Sequence, residues 1–111
     1  MQLTYLASPY THPDSGIIDL RYTQTLYAVR QLMQSGEHVF SPILHCHNLA
    51  KIGGLDSDWA YWRDIDFDFI DRCDKMAVLM LNGWESSIGI AAEIKHAEEM
   101  SMQIDYIRPN Y

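Results

Sequence analysis

Met76-Ala77-Val78-Leu79-Met80-Leu81 is an unbroken apolar run, entered from Asp74-Lys75 and left through Asn82-Gly83. A strand with one wet face alternates apolar and polar residues, whereas a run without alternation suits the centre of a parallel sheet covered on both faces. On its C-terminal side, Asn82-Gly83-Trp84-Glu85 reads as a turn, residues 86–101 as a helix and Gln103–Ile107 as a strand, before the tail Arg108-Pro109-Asn110-Tyr111. On its N-terminal side, residues 58–73 read as a helix with Trp62, Phe69, Ile70 and Cys73 on one face, opened by the N-capping cluster Asp56-Ser57-Asp58. Residues 3–7 read as a first short strand, broken by Ser8-Pro9-Tyr10-Thr11-His12-Pro13-Asp14. Residues 17–35 read as a helix that turns Leu26, Val29, Leu32 and Met33 to the core and stops at Gly36. Glu37–Phe40 is a second strand, and Ser41-Pro42 opens an irregular stretch to about residue 57 with one helical turn at 44–51.

Strands and helices that alternate in this way imply a parallel sheet with right-handed crossovers. The expectation is one three-layer α/β domain over residues 1–111, flavodoxin- or Rossmann-like, with four to five strands and helices on both faces. In such sheets ligands bind beyond the carboxyl ends of the strands, where the strand order reverses. Residues 8–14, 41–47 and 82–89 are therefore expected to meet there.

The 111 residues fit one domain, and a hydrophobic fraction of 48% suits a folded core. The net charge of -7 disfavours nucleic-acid polymers and anionic membranes as partners. It leaves room for a small anion held by backbone dipoles. Cys46 and Cys73 lack paired spacing, the N-terminus shows no signal-peptide pattern, and no apolar run approaches a membrane span. Reduced thiols in a cytoplasmic protein are expected.

Helix 58–73 carries Asp58, Asp64, Asp66, Asp68 and Asp71. At roughly 100° per residue, Asp64, Asp68 and Asp71 turn away from the apolar face. Asp66 does not: it lies four residues after Trp62 and three before Phe69. Helix 86–101 repeats the pattern, with Ile90, Ile94, Ala97 and Met100 as its stripe and Glu93 inside it. Lys95 and Glu98 point outward, and His96 and Glu99 lie at the margins. A carboxyl on an inward face must be paired or must open onto a pocket. Two of them on neighbouring helices suit a nucleophile with an orienting partner, or an acid–base pair.

Ser86-Ser87-Ile88-Gly89 opens its helix with small residues, as an N-cap or as an anion site. His45-Cys46-His47 lacks the spacing of a zinc site, so no metal or other cofactor is expected. His45 or His47 is a candidate for orienting or protonating a base. Among the tryptophans, Trp59, Trp62 and Trp84, the last is a candidate for stacking on one.

Ser87-x-Gly89-x-x-x-Glu93-x-x-x-Ala97 resembles the stretch that presents the catalytic glutamate in the nucleoside 2-deoxyribosyltransferase superfamily, which includes the deoxynucleoside 5′-monophosphate N-glycosidases. Asp66 and Asp74, eight positions apart, resemble that superfamily's sugar-contacting aspartate and the acid before its strand. Nearly the whole chain is similar to an uncharacterised family, domain of unknown function 1937, through Tyr5-Leu6-Ala7-Ser8-Pro9-Tyr10-Thr11-His12-Pro13, Phe40-Ser41-Pro42-Ile43 and Gly83-Trp84-Glu85-Ser86-Ser87-x-Gly89.

The superfamily resemblance implies cleavage or transfer of the N-glycosidic bond of a nucleoside or nucleoside 5′-monophosphate. Glu93 would attack the anomeric carbon. Asp66 would hold a sugar hydroxyl or orient the leaving base, and Tyr5 would hydrogen-bond near the nucleophile. Ser87 and Gly89 would bind the 5′ end, and Ser8, Pro9, Tyr10, His45, Gly83 and Trp84 would complete the substrate site. Two departures stand out. The loop after the first strand lacks the glycine and arginine of the monophosphate glycosidases' phosphate loop, and Asn82 stands where the transferases carry an acid. The resemblance further implies a homo-oligomer in which the tail 108–111 completes a neighbour's site. The alternatives on the same fold are a non-catalytic nucleotide sensor and a glycohydrolase acting on NAD, for which no dinucleotide fingerprint is present.

Overall fold

The computed structural model describes residues 2–56 and 58–109. Four strands, β1 (Leu3–Ala7), β2 (His38–Phe40), β3 (Lys75–Leu79) and β4 (Gln103–Ile107), form one all-parallel sheet in the order β2-β1-β3-β4. Four helices connect them: α1 (Ser15–Gln34), α2 (Pro42–Lys51), α3 (Trp59–Arg72) and α4 (Ile88–Glu99). This is the doubly wound, flavodoxin-like order, with the reversal between β1 and β3. The apolar run forms β3, and Leu81 beyond it is still fully buried.

Register divides the side chains between two cores. Tyr5 pairs with Met76 and Ala7 with Val78, and these four face Ile70 and Cys73 of the α3 segment and Ile90 and Ala97 of α4. Leu6, Ala77 and Leu79 face the other way, against Val29 and Leu32 of α1 and Leu44 of α2. At the N-terminal ends of the central strands Asp74 forms a two-bond clamp. Its carboxylate accepts from Leu3 N–H at 2.7 Å, and its own N–H donates to Leu3 C=O at 2.8 Å.

Three expectations need correction. Ser41-Pro42 starts a helix of ten residues rather than an irregular stretch. Ser41 Oγ accepts from Leu44 N–H at 3.2 Å, and Pro42 occupies the first helical position, where its missing N–H costs nothing. In α1, Leu26 and Met33 are 38% and 57% exposed, while Thr25 and Val29 are buried with Leu32 beside them. Two apolar stripes compete at helical spacing, and the sheet takes the one containing the smaller Thr25 and Ala28. Thr25 brings its own polar partner, donating to Ser8 Oγ at 3.3 Å. On α4, Met100 is the exposed C-cap rather than part of the stripe. That helix begins at Ile88, after a separate 3-10 turn at Trp84–Ser86. No helix among the described residues is long and apolar enough to cross a membrane.

Asp74→Ala removes the carboxylate that accepts from Leu3 and leaves the sheet's apolar faces intact. A loss of about 1 kcal/mol is expected. In thermal unfolding that lowers the midpoint by roughly 4–8 °C.

Candidate functional site

The switch point between β1 and β3 opens into a cavity of about 340 Å³, within the range of small-molecule sites. Its wall takes Ser8, Tyr10 and Thr11 from the loop after β1, and Ile43 and Cys46 from α2. Trp59, Trp62 and Asp66 of α3 and residues 86–90 with Glu93 of α4 close it. The three segments expected to meet do meet here, and α3 joins them.

Glu93 and Asp66 are 4% and 7% exposed, yet both line the cavity. Tyr5, fully buried on the central strand, reaches Glu93 from the sheet side and donates its phenol proton to Glu93 Oε2. Burial dominates the electrostatics of this group. It pushes Glu93 up to about 8, with Asp66 adding to the rise and the Tyr5 hydroxyl opposing it. It pushes Asp66 up to about 7, again opposed by Tyr5. Burial first, and the Glu93 and Asp66 charges after it, hold the Tyr5 phenol well above its ordinary value, so it remains a donor. Cys46, on the same wall, is pushed by burial up to about 12, which keeps its thiol protonated at neutral pH.

Ser87 caps α4, its Oγ accepting from Ile90 N–H at 3.2 Å, and Ser86 Oγ donates to Gly83 C=O at 3.2 Å. Gly89 seats the ring of Trp59: a Cβ there would stand 3.3 Å from Trp59 Cε3. Arg21 of α1 ties two of the cavity's loops together. Its guanidinium donates to Thr11 C=O at 2.9 Å and to Asn82 C=O at 3.2 Å.

Of the residues expected from the sequence, Ser8, Tyr10, Asp66, Ser87, Gly89 and Glu93 share the cavity wall, with Tyr5 directly behind it. Pro9 is buried and does not line the cavity. Three others are also absent from the wall. His45 is exposed and lies against Phe40, Phe69 and Trp62. Gly83 takes a left-handed φ of 89° at the turn beneath Arg21, and Trp84 packs on Tyr106 and the α3–α4 core. The turn at 82–84 thus faces away, and the 3-10 turn brings residues 86–90 forward instead. His45 and His47 diverge, because positions two apart on a helix point in different directions. His12 accepts from Asp14 N–H at the start of α1, outside the cavity lining. Pro109 lies in a separate cleft along α1, and Asn110 and Tyr111 of the tail lie outside the described residues, as does Ser57 of the expected cap cluster. Sequence reasoning missed Trp59, Ile43, Cys46 and Arg21. The glycine at 89, inside the first turn of a helix, was the available signal for a ring packed against it.

The fold and the carboxyl pair define a doubly wound α/β protein with a cavity at its switch point lined by two buried carboxyls. The chain belongs to the family described as Domain of unknown function (DUF1937), whose model matches residues 2–107. Comparison with curated proteins returns no match.

The raised pKa of Glu93 has a consequence for stability. The folded state keeps the Glu93 proton between the ordinary value of 4.5 and about 8, while the unfolded state has released it. Wild-type stability from this group is full below the lower value and is lost as pH rises through the upper one. Glu93→Gln, neutral throughout, escapes that loss. Its melting temperature is expected to gain about 5 °C or more relative to the wild type between pH 5 and pH 8. A difference that stays flat across this range would mean that Glu93 is not held protonated.

Proposed function

We propose that the protein cleaves or transfers the N-glycosidic bond of a nucleoside through a covalent glycosyl-enzyme intermediate at Glu93. One observation carries this reading: a buried glutamate, gripped on Oε2 by Tyr5, shares a small cavity with a second buried carboxyl. The hydrogen bond on Oε2 leaves Oε1 as the atom to attack the anomeric carbon. The C–N bond breaks, its electron pair leaves with the base, and positive charge grows on the sugar. That charge favours the ionised form of Glu93, whose proton passes to the departing base directly or through Asp66. Asp66, near its midpoint at neutral pH, is the group to hold a sugar hydroxyl or to orient and protonate the leaving base. The resemblance of the Ser87–Ala97 stretch to the deoxyribosyltransferase superfamily supports the same assignment.

The cavity's charge favours nucleosides over their 5′-monophosphates. Among the described residues no Lys, Arg or His lines the wall, and Arg21 is engaged with backbone carbonyls. The helix start at 87–90 offers only partial positive charge, too little to balance a phosphate without a full cation beside it.

The test is release of free base, followed by chromatography, from ribo- and deoxyribonucleosides, their 5′-monophosphates and NAD. Wild type is expected to release base from nucleosides faster than from monophosphates. Glu93→Ala is expected to lose roughly 10³-fold or more. A second base added to the mixture separates hydrolysis from transfer. No release from any compound, with ligands binding equally to both proteins, would remove Glu93 as nucleophile and leave a nucleotide sensor.

A further inference from the structure

His47 is 4% exposed, and its polar contacts form a line from the surface to the cavity. At the outer end Asp19 of α1 accepts from Lys51 Nζ at 2.9 Å and stands 3.7 Å from His47 Nε2. At the inner end His47 Nδ1 lies 2.8 Å from the hydroxyl of Tyr10, a residue of the cavity wall. Tyr22 stacks on the imidazole at 4.1 Å, and Tyr10 meets it edge-on at 5.7 Å, so the ring plane is fixed.

These contacts decide where the protons sit. A bare Nε2 lone pair facing the Asp19 carboxylate would be repelled, so Nε2 carries the ring proton. Nδ1 is then bare and accepts from the Tyr10 hydroxyl. Burial pushes His47 down, which keeps the ring neutral, and pushes Tyr10 up to about 12, which keeps the phenol intact. A phenol has one proton, and here it is directed at His47. The remaining lone pairs of Tyr10 can only accept.

We propose that Tyr10, oriented by His47 and Asp19, is a hydrogen-bond acceptor of fixed polarity that selects nucleosides carrying an amino group, rather than an oxo group, on the base edge facing it. The inference rests on reading the cavity as an N-glycoside site. Glu93 and Asp66 enter from the α3–α4 side and engage the sugar. The Tyr10 hydroxyl is held from the α1–α2 side, where the base of the same molecule would lie. His47 and Asp19 are positioning residues, since neither lines the cavity.

Calorimetric binding of two pairs, adenosine with inosine and cytidine with uridine, tests this on the wild type, Tyr10→Phe and His47→Phe, with folding checked by circular dichroism. Wild type is expected to prefer the amino member of each pair by about tenfold. Tyr10→Phe abolishes the preference. His47→Phe keeps a ring against Tyr22 but frees the phenol proton, and so shifts the preference toward the oxo member, which a merely structural role would not do. Equal binding within each pair by wild type, or a preference that survives Tyr10→Phe, overturns the proposal. A preference without base release would overturn the glycosidase reading and uphold this one, and release without preference would do the reverse. Binding of none of the four, nor of their 2′-deoxy counterparts, overturns both.

Discussion

A carboxyl almost wholly removed from water is costly unless a partner meets it, and the partner of Glu93 is a single phenol proton from the middle of the sheet. Much of the architecture serves that contact. Tyr5 stands in the central strand β1, paired with Phe40 on one side and Met76 on the other, so its backbone has no freedom. Its ring points to the face that α3 and α4 cover, which is where Asp66 and Glu93 enter. A shift of one residue in β1 would turn Tyr5 to the α1 face and leave Glu93 unpaired. The same register that closes the core therefore sets the carboxyl pair.

The topology then decides what the pair can reach. Because α1 and α2 lie on one face and α3 and α4 on the other, the loops after β1 and β3 part at the carboxyl end of the sheet. Arg21 spans that gap and fastens both loops through backbone carbonyls. The opposite end is closed by Asp74, whose bonds to Leu3 join the same two strands. Asp66 and Asp74, eight positions apart in sequence, thus serve opposite ends of the fold: one opens onto the cavity, the other clamps the sheet.

The chain order and the carboxyl pair were legible because each rests on a local period. An apolar run without alternation marks a central strand, and an acid inside a helical stripe marks a break in packing. Where the reading failed, the deciding interaction was not periodic. The choice of stripe on α1 depends on how closely the helix approaches the sheet, which favours Thr25 and Ala28 over Leu26 and Met33. Ser41-Pro42 carries equally good signals for leaving a strand and for starting a helix, and only the side-chain cap on Leu44 distinguishes them. The 3-10 turn at Trp84–Ser86 rotates the chain so that Trp84 meets Tyr106 while Ser87 meets the cavity. No pattern in the sequence records that rotation.

The cavity's polarity follows from the same economy of protons. On the α3–α4 side one phenol serves two carboxyls: Tyr5 gives its hydrogen to Glu93 and also opposes the rise of Asp66. On the α1–α2 side the Tyr10 hydroxyl lies 2.8 Å from His47 Nδ1, and under the proposed assignment of the ring proton to Nε2 its hydrogen is committed to His47. With both phenol protons committed to the protein, the wall's donors include the hydroxyls of Ser8, Thr11 and Ser87, the backbone N–H groups at the start of α4 and the carboxyls' own protons, and no full cation stands among its described residues. Such a wall offers nothing to balance a full negative charge, so it matches a neutral molecule better than an anion, and on the proposed glycosidase reading it would also hold the growing positive charge of a sugar cation.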